Sequence, residues 1–143
     1  MAHEFNLFEG YDEARGCGIY DIEALSKRVV AMASGPSEIS ILEGVVSHLL
    51  PVDTSIVLRC RPSILEERLR DRNYSPEKIR ENMEAEALNE ISVESHERVE
   101  TYEVDTTSQD ISEVADAIEL IIEGRGSRYR KRLDFMEEVI DWY

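Results

Sequence analysis

The chain has 143 residues, of which 42% are hydrophobic and 33% are charged, a balance typical of a single soluble domain with its own core. Its formal net charge of −15 disfavours a general binder of nucleic acid or of anionic membranes, and suits a basic partner or a high-salt cytoplasm. Cys17 and Cys60 form no CxxC pair, no apolar run approaches the length of a membrane span, and the first residues do not form a signal peptide. These features predict a cytoplasmic protein with reduced thiols.

The first part of the chain is predicted to contain one helix and two strands. Residues 1–20 hold three glycines and several aromatic residues, which favour a loop-rich segment with at most a short helix. Asp21 is a good N-cap for a helix that continues to about Ser34. Glu38–Glu43 is predicted as a short strand, and Thr54–Cys60 as a second strand whose apolar run indicates burial on both faces.

The centre of the chain concentrates arginines around a predicted turn. Pro62–Arg72 is predicted as a helix and Asn73–Pro76 as the turn, in which Asn73 tolerates a positive φ and Ser75 is a good N-cap. The turn is flanked by Arg68, Arg70, Arg72 and Arg80. Arginine is the usual residue for bidentate recognition of phosphate, so one interpretation is a mobile lid over a nucleotide phosphate chain. A solvated helix–turn–helix corner is the alternative.

After the turn, the pattern predicts more helix and a third strand. Pro76 to about Val99 is predicted as one long helix, and Thr101–Asp105 as the strand. Asp110 and Glu113 form a capping-box pair at the start of an amphipathic helix, and a last helix is predicted from about Leu133. The solvated face of the long helix is expected to carry Glu81, Glu84, Glu86, Glu90, Glu94 and Glu97. Strands that alternate with helices imply an α/β fold with a parallel sheet.

Two further groups are candidates for nucleotide chemistry. Glu43 ends a predicted strand just before Gly44, and a carboxylate in this place coordinates or orients Mg²⁺ in P-loop phosphotransferases, although many strands end in Glu. The run Gly10–Glu13 combines a turn, an aromatic ring and two acids that could hold a base or a ribose, with an ordinary surface turn as the alternative. His48 and His96 have no partner at metal-ligand spacing and are expected to be structural or exposed.

Several of these motifs together resemble the small adenylate kinase family, which comprises archaeal proteins and a eukaryotic nuclear kinase/ATPase. The likeness is carried by Leu7–Glu13, by Leu42–Gly44 with Leu49–Pro51 after it, by Arg68–Tyr74 and by Glu86. It continues through the strand TYEVD and the helix that follows. The resemblance implies a three-layer α/β fold of the P-loop NTPase type. That fold is expected to be incomplete here, with a parallel sheet that lacks its first two strands.

The resemblance also implies an activity and partners. It implies phosphoryl transfer from ATP to AMP with Mg²⁺, and hydrolysis of ATP. It further implies assistance in small-subunit rRNA maturation, together with a basic ribosomal protein on the immature small ribosomal subunit. Within a single domain of residues 1–143, residues 1–20 would end the monophosphate-binding segment and residues 71–81 would form the lid.

The same resemblance assigns roles to individual residues. Glu43 would be the Walker B acid, catalytic and bound to Mg²⁺ through water, and Arg72 would be the catalytic arginine that contacts ATP. The nucleotide-binding set would be Gly10, Tyr11, Asp12, Arg72 and Arg80.

Two departures from the family are visible. Val45 stands where the family often has a histidine. The P-loop pattern G-x-x-x-x-G-K-[ST] requires a Gly-Lys pair, and none of the seven glycines is followed by lysine. The chain is therefore expected to be an N-terminally shortened adenylate kinase that is inactive alone. The alternative is a catalytically dead module that binds a partner in ribosome assembly.

Overall fold

A computed structural model describes residues 8–12, 17–32 and 39–140. The chain divides into two compact units, Met1–Val52 and Asp53–Tyr143.

The first unit contains a β-hairpin and a helix. Strands β1 (Phe8–Asp12) and β2 (Cys17–Tyr20) pair antiparallel, so the prediction of a loop-rich segment is wrong for these residues. Aromatic and β-branched residues favour strands, and this preference prevails over the glycines. Helix α1 (Ile22–Met32) follows, and the Asp21 carboxylate accepts a hydrogen bond from the backbone N–H of Ala24 at 2.8 Å, which confirms the predicted cap.

The strand predicted over Glu38–Glu43 is wrong where the structure describes it, because residues 39–43 form no strand. Ile39 and Ile41 are 72% and 74% exposed. A strand requires a neighbour for its backbone groups, and no pairing partner for this segment occurs among residues 8–12, 17–32 and 39–140. A turn and a short 3₁₀ helix (Ser47–Leu49) complete the unit.

The second unit is built on two parallel strands, which confirms the predicted α/β class. Strand β3 (Thr54–Arg59) pairs with β4 (Glu100–Asp105), with Thr54 opposite Glu100 and Arg59 opposite Asp105. The sequence predicts both strands within one residue at each end. Burial of β3 on both faces is wrong, because Leu58 is 52% exposed.

Three helices connect β3 to β4, where the sequence predicts two. They are α2 (Pro62–Asp71), α3 (Pro76–Ala87) and α4 (Glu90–Arg98). The predicted long helix breaks because Asn89 adopts a left-handed conformation with φ of 60°, which Asn tolerates better than most residues. The Asn89 side chain accepts a hydrogen bond from Arg59 Nη2 at 2.6 Å, and this bond holds the break in place.

Helix α5 (Ile111–Ile122) confirms the predicted capping box. Asp110 Oδ1 accepts from the Glu113 backbone N–H at 2.9 Å, and Glu113 Oε2 accepts from the Asp110 N–H at 2.8 Å. Residues of α5 pack on β4, and the core there consists of Tyr102, Val104, Ala117 and Ile121.

The last predicted helix is wrong. The segment after α5 contains two short 3₁₀ helices, Ser127–Arg130 and Met136–Glu138. The backbone N–H of Leu133 donates to Glu103 Oε2 at 2.8 Å, and its carbonyl accepts from Arg59 Nη1 at 3.1 Å. Because the backbone groups of Leu133 bond to Glu103 and Arg59, they are not used in hydrogen bonds within a helix. Phe135 and Val139 are nevertheless buried.

Arg59, the last residue of β3, is the buried centre of the second unit and is 1% exposed. Its Nε donates to Glu86 Oε1 at 2.7 Å, and its Nη1 donates to Glu103 Oε2 at 2.7 Å. The remaining N–H groups bond to the Glu86 carbonyl, the Asn89 side chain and the Leu133 carbonyl. All five guanidinium donors are therefore used. The expectation that Glu86 lies on a solvated face is wrong.

Glu103 completes this network from β4, and its side chain has no exposed surface. It accepts hydrogen bonds from the Ser92 hydroxyl at 2.5 Å and from Leu133, and it lies 3.2 Å from His96 Nε2. Burial alone would raise the pKa of Glu103, but these hydrogen bonds and Arg59 lower it below the usual value. Burial raises the pKa of Glu86, against the opposing effect of Arg59.

Replacing Arg59 should test this network. The change Arg59→Met leaves two buried carboxylates without their cation, so we expect a loss of about 3–5 kcal/mol in the free energy of unfolding. Urea titration followed by circular dichroism measures the loss. The matched control is Arg98→Met, which removes an exposed pair with Glu94 and should cost less than about 1 kcal/mol. Equal midpoints for the two variants would contradict a central role for Arg59.

Candidate functional site

Polar groups from both parallel strands meet where the strands end. We call residues 60–61 and 105–107 the strand-end ledge. The Thr106 backbone N–H donates to the Arg59 carbonyl at 2.7 Å, and the Arg61 N–H donates to Thr107 Oγ1 at 3.1 Å. In open α/β sheets, ligands bind beyond the carboxyl ends of the strands. The ledge is therefore the place in the second unit where a ligand would be expected.

Arg68 lies against the ledge and does not face the turn. Its Nη2 donates to the Thr106 carbonyl at 2.7 Å, and its Nη1 donates to Thr106 Oγ1 at 3.1 Å and to Cys60 Sγ at 3.3 Å. Cys60 is buried, and burial raises the pKa of its thiol. The sequence groups Arg68 with the turn arginines, and the structure separates it from them.

Helices α2 and α3 form a helical hairpin, which confirms the predicted turn. Asn73 has a positive φ of 58°, and the Ser75 hydroxyl accepts from the Lys78 backbone N–H at 3.2 Å. The two helices pack through Leu65, Leu69, Ile79 and Met83. The hairpin is bonded to the strands by Arg68, in the last turn of α2, and by Glu86 on α3, whose Oε1 also accepts from the Cys60 N–H at 3.1 Å.

The three remaining arginines of the turn differ in their contacts. Arg70 pairs with Glu66 at 2.5 Å, Arg80 pairs with Glu84 at 2.9 Å, and both arginines line an open groove between the two helices. Arg72 is exposed at the C-cap of α2. It makes no side-chain hydrogen bond or ion pair with any other residue that the structure describes. Its guanidinium is therefore available at the tip of the hairpin.

The other predicted site residues lie in the first unit. Gly10, Tyr11 and Asp12 share strand β1, with Gly10 exposed. Glu43 is exposed in the irregular segment before the 3₁₀ helix, and not at the end of a strand as predicted. Within the described ranges, no cluster of three His, Cys, Asp or Glu residues could hold a metal alone. A single exposed carboxylate nevertheless suits Mg²⁺, which is commonly held by one or two carboxylates together with substrate phosphates.

Residues 133–140 lie where the sequence predicts the last helix, and we call them the C-terminal strap. Their contacts with α2 were not anticipated from the sequence. The Phe135 ring lies 5.4 Å below the Arg59 guanidinium and 5.7 Å from that of Arg61. Glu138 Oε1 accepts from Arg61 Nη1 at 2.7 Å, and its Oε2 accepts from the Ser63 N–H at 3.2 Å and from the Ser63 hydroxyl at 3.0 Å. The buried residues Phe135 and Val139 have helical spacing, but nothing local in the sequence pairs Glu138 with α2.

The comparisons with known proteins agree with this architecture. A family model described as an AAA domain matches residues 1–89. A protein of Archaeoglobus fulgidus named "Putative adenylate kinase" is 44% identical over 91% of this chain and 72% of its own length. Proteins with the same name from Methanocaldococcus jannaschii and Natronomonas pharaonis are 37% and 39% identical, over 97% and 95% of this chain and 76% and 80% of their own lengths.

The mixed fold with its parallel strands fits the P-loop NTPase class of α/β proteins, as the sequence predicts. Within that class, the chain belongs to the adenylate kinase-like nucleotide kinase family. None of the helices described in residues 8–12, 17–32 and 39–140 is long and apolar enough to cross a membrane.

The strap contact should depend on pH through Glu138. Desolvation alone would raise the pKa of Glu138, but hydrogen bonds from Arg61 and Ser63 lower it below the usual value. Because the folded pKa is lowered, the stabilisation is present above the unfolded value of about 4.3 and is lost as the pH falls through the folded value.

We therefore expect Glu138→Gln to be less stable than the parent at pH 7 by about 1 kcal/mol, because glutamine keeps an acceptor oxygen but loses the charge that pairs with Arg61. The difference should close as the pH falls through the folded pKa of Glu138, since the parent is then protonated as well. Thermal unfolding across this pH range measures it. The neighbouring change Glu137→Gln is the control and should give the same stability as the parent. A gap that persists in acid would contradict the role of the Glu138 charge.

Proposed function

We propose that the protein is a nucleoside monophosphate kinase of adenylate kinase type, which converts ATP and AMP into two ADP. The observation that carries this proposal is Arg72, an exposed guanidinium without a protein partner in the described residues, at the tip of a helical hairpin. The family of nucleotide kinases to which the chain belongs supports the same reaction class.

Phosphoryl transfer requires little covalent chemistry from the protein, so catalysis consists of positioning and charge stabilisation. Arg68 and Glu86 bond the two helices to the strands, and the turn at Asn73 joins these helices. Closure of the tip over a bound nucleotide would bring the Arg72 guanidinium to the transferring phosphoryl group. A planar, two-pronged cation suits phosphate oxygens better than a single ammonium does.

In this proposal Glu43 holds Mg²⁺ through water, and the metal neutralises charge on the phosphates when bound. Gly10, Tyr11 and Asp12 contact the monophosphate nucleotide from β1, and Arg80 contributes to nucleotide binding from the groove. Arg80 would then exchange its present partner Glu84 for a phosphate.

The proposal includes two finer activities that rest on the family resemblance. One is hydrolysis of ATP, which uses water in place of AMP as the acceptor. The other is assistance in small-subunit rRNA maturation with a basic ribosomal protein. The net charge of −15 supports a partner of the opposite, positive charge.

The polypeptide of these 143 residues should not form ADP from ATP and AMP. None of its glycines precedes a lysine, so it cannot provide the backbone cradle and lysine that hold the β- and γ-phosphates. A coupled assay for ADP, with a heat-killed preparation as the control, measures this. ADP formation above the control would contradict the expectation.

Joining a P-loop segment in frame ahead of residue 1 should create activity that depends on Arg72. An arginine of this kind is worth about 10³–10⁵ in rate in other phosphotransferases, so Arg72→Ala should abolish most turnover. Arg72→Lys should recover only part of it, because lysine keeps the charge but loses the fork. Steady-state kinetics measure the effect.

Arg70→Ala is the matched control for this series. Arg70 is on the same helix and is paired with Glu66, so its loss should matter little. If Arg72→Ala leaves the rate within about twofold, less than about 0.5 kcal/mol of barrier, the hairpin tip is only a structural corner. The alternative, a catalytically dead module that binds a partner, would then be favoured.

A further inference from the structure

The C-terminal strap supplies a cap that helix α2 does not supply for itself. The first backbone N–H groups of a helix have no partner within the helix, and a side chain at the N-cap usually accepts from one of them. The N-cap residue of α2 is Arg61, which makes no such bond. Glu138 accepts from the Ser63 N–H in its place, from 75 residues further along the chain.

The strap is itself fixed at its other end. Leu133 bonds to Arg59 and Glu103 through its backbone, and Phe135 packs beneath the Arg59 guanidinium. Glu138 therefore reaches α2 from a segment that is tied to the buried network. Its carboxylate uses both oxygens, one on Arg61 and the other on Ser63.

Helix α2 connects this contact to the turn. The helix spans Pro62–Asp71, a length of about 15 Å, and its C-cap is Arg72. The turn beyond it is held by the Arg72 and Asn73 backbone N–H groups, which donate to the carbonyls of Leu69 and Arg70 at 3.1 and 2.9 Å. The Ser63 cap and the bonds of the turn are therefore joined by one continuous helix.

We propose that Glu138 is a positioning residue, which caps α2 from the C-terminal strap and thereby sets the order of the turn that presents Arg72. Release of the strap therefore loosens the turn. The effect of this coupling on catalysis rests on the proposed function, but the coupling can be measured without turnover.

Hydrogen–deuterium exchange on the 143-residue chain tests the coupling. In Glu138→Ala, which removes the acceptor oxygens, amides of the first turn of α2 and of residues 72–74 should exchange about threefold to tenfold faster than in the parent. The matched control is Glu137→Ala, which removes the neighbouring carboxylate on the same strap and should leave exchange at both places unchanged. Faster exchange confined to residues 133–140 overturns the proposal.

A rescue separates capping from a general loosening of the fold. Aspartate is a good N-cap, so Arg61→Asp in the Glu138→Ala background provides a local cap while the contact from the strap stays absent. Exchange at residues 72–74 should then return to the parent value, and exchange at residues 133–140 should stay fast. If residues 72–74 stay fast although the first turn of α2 is protected again, the strap does not act through α2 and the proposal fails. Neither result depends on whether the protein is a kinase.

Discussion

The second unit depends on one buried cation. Arg59 ends β3 and bonds at the same time to α3 through Glu86, to β4 through Glu103 and to the C-terminal strap through Leu133. Burying a charge costs several kcal/mol unless every donor finds a partner, and here all five do. A displacement that broke one of these hydrogen bonds would leave a buried polar group without a partner. The positions of β3, α3, β4 and the strap are therefore fixed more strictly than by apolar packing alone.

The helical hairpin is bonded to the strands from both of its helices. Glu86 ties the end of α3 to Arg59, and Arg68 ties α2 to Thr106. Beyond these anchors the turn carries Arg72, which has no protein partner in the described residues. In the proposed function, this leaves the Arg72 guanidinium for the nucleotide phosphates.

The sequence predicts those features that depend on neighbours along the chain. The parallel strands, the Asp110–Glu113 capping box and the turn at Asn73 with its Ser75 cap all follow from local patterns, and the structure confirms them. Features set by distant partners were missed or wrong. The break at Asn89 and the burial of Glu86 both depend on Arg59, and the capping of α2 depends on Glu138. The sequence pattern around a helical glutamate is the same whether its carboxylate is exposed to water or bonded to a buried guanidinium.

The spacing of the Arg59 partners also bears on how the chain folds. They lie 27, 44 and 74 residues further along the sequence. Helices and the turn between them form from local contacts and can form early, whereas contacts over such separations require the closure of long loops and form late. During synthesis on a ribosome, the Arg59 guanidinium therefore lacks its last acceptor until residue 133 has emerged, so the second unit cannot reach its native arrangement before then.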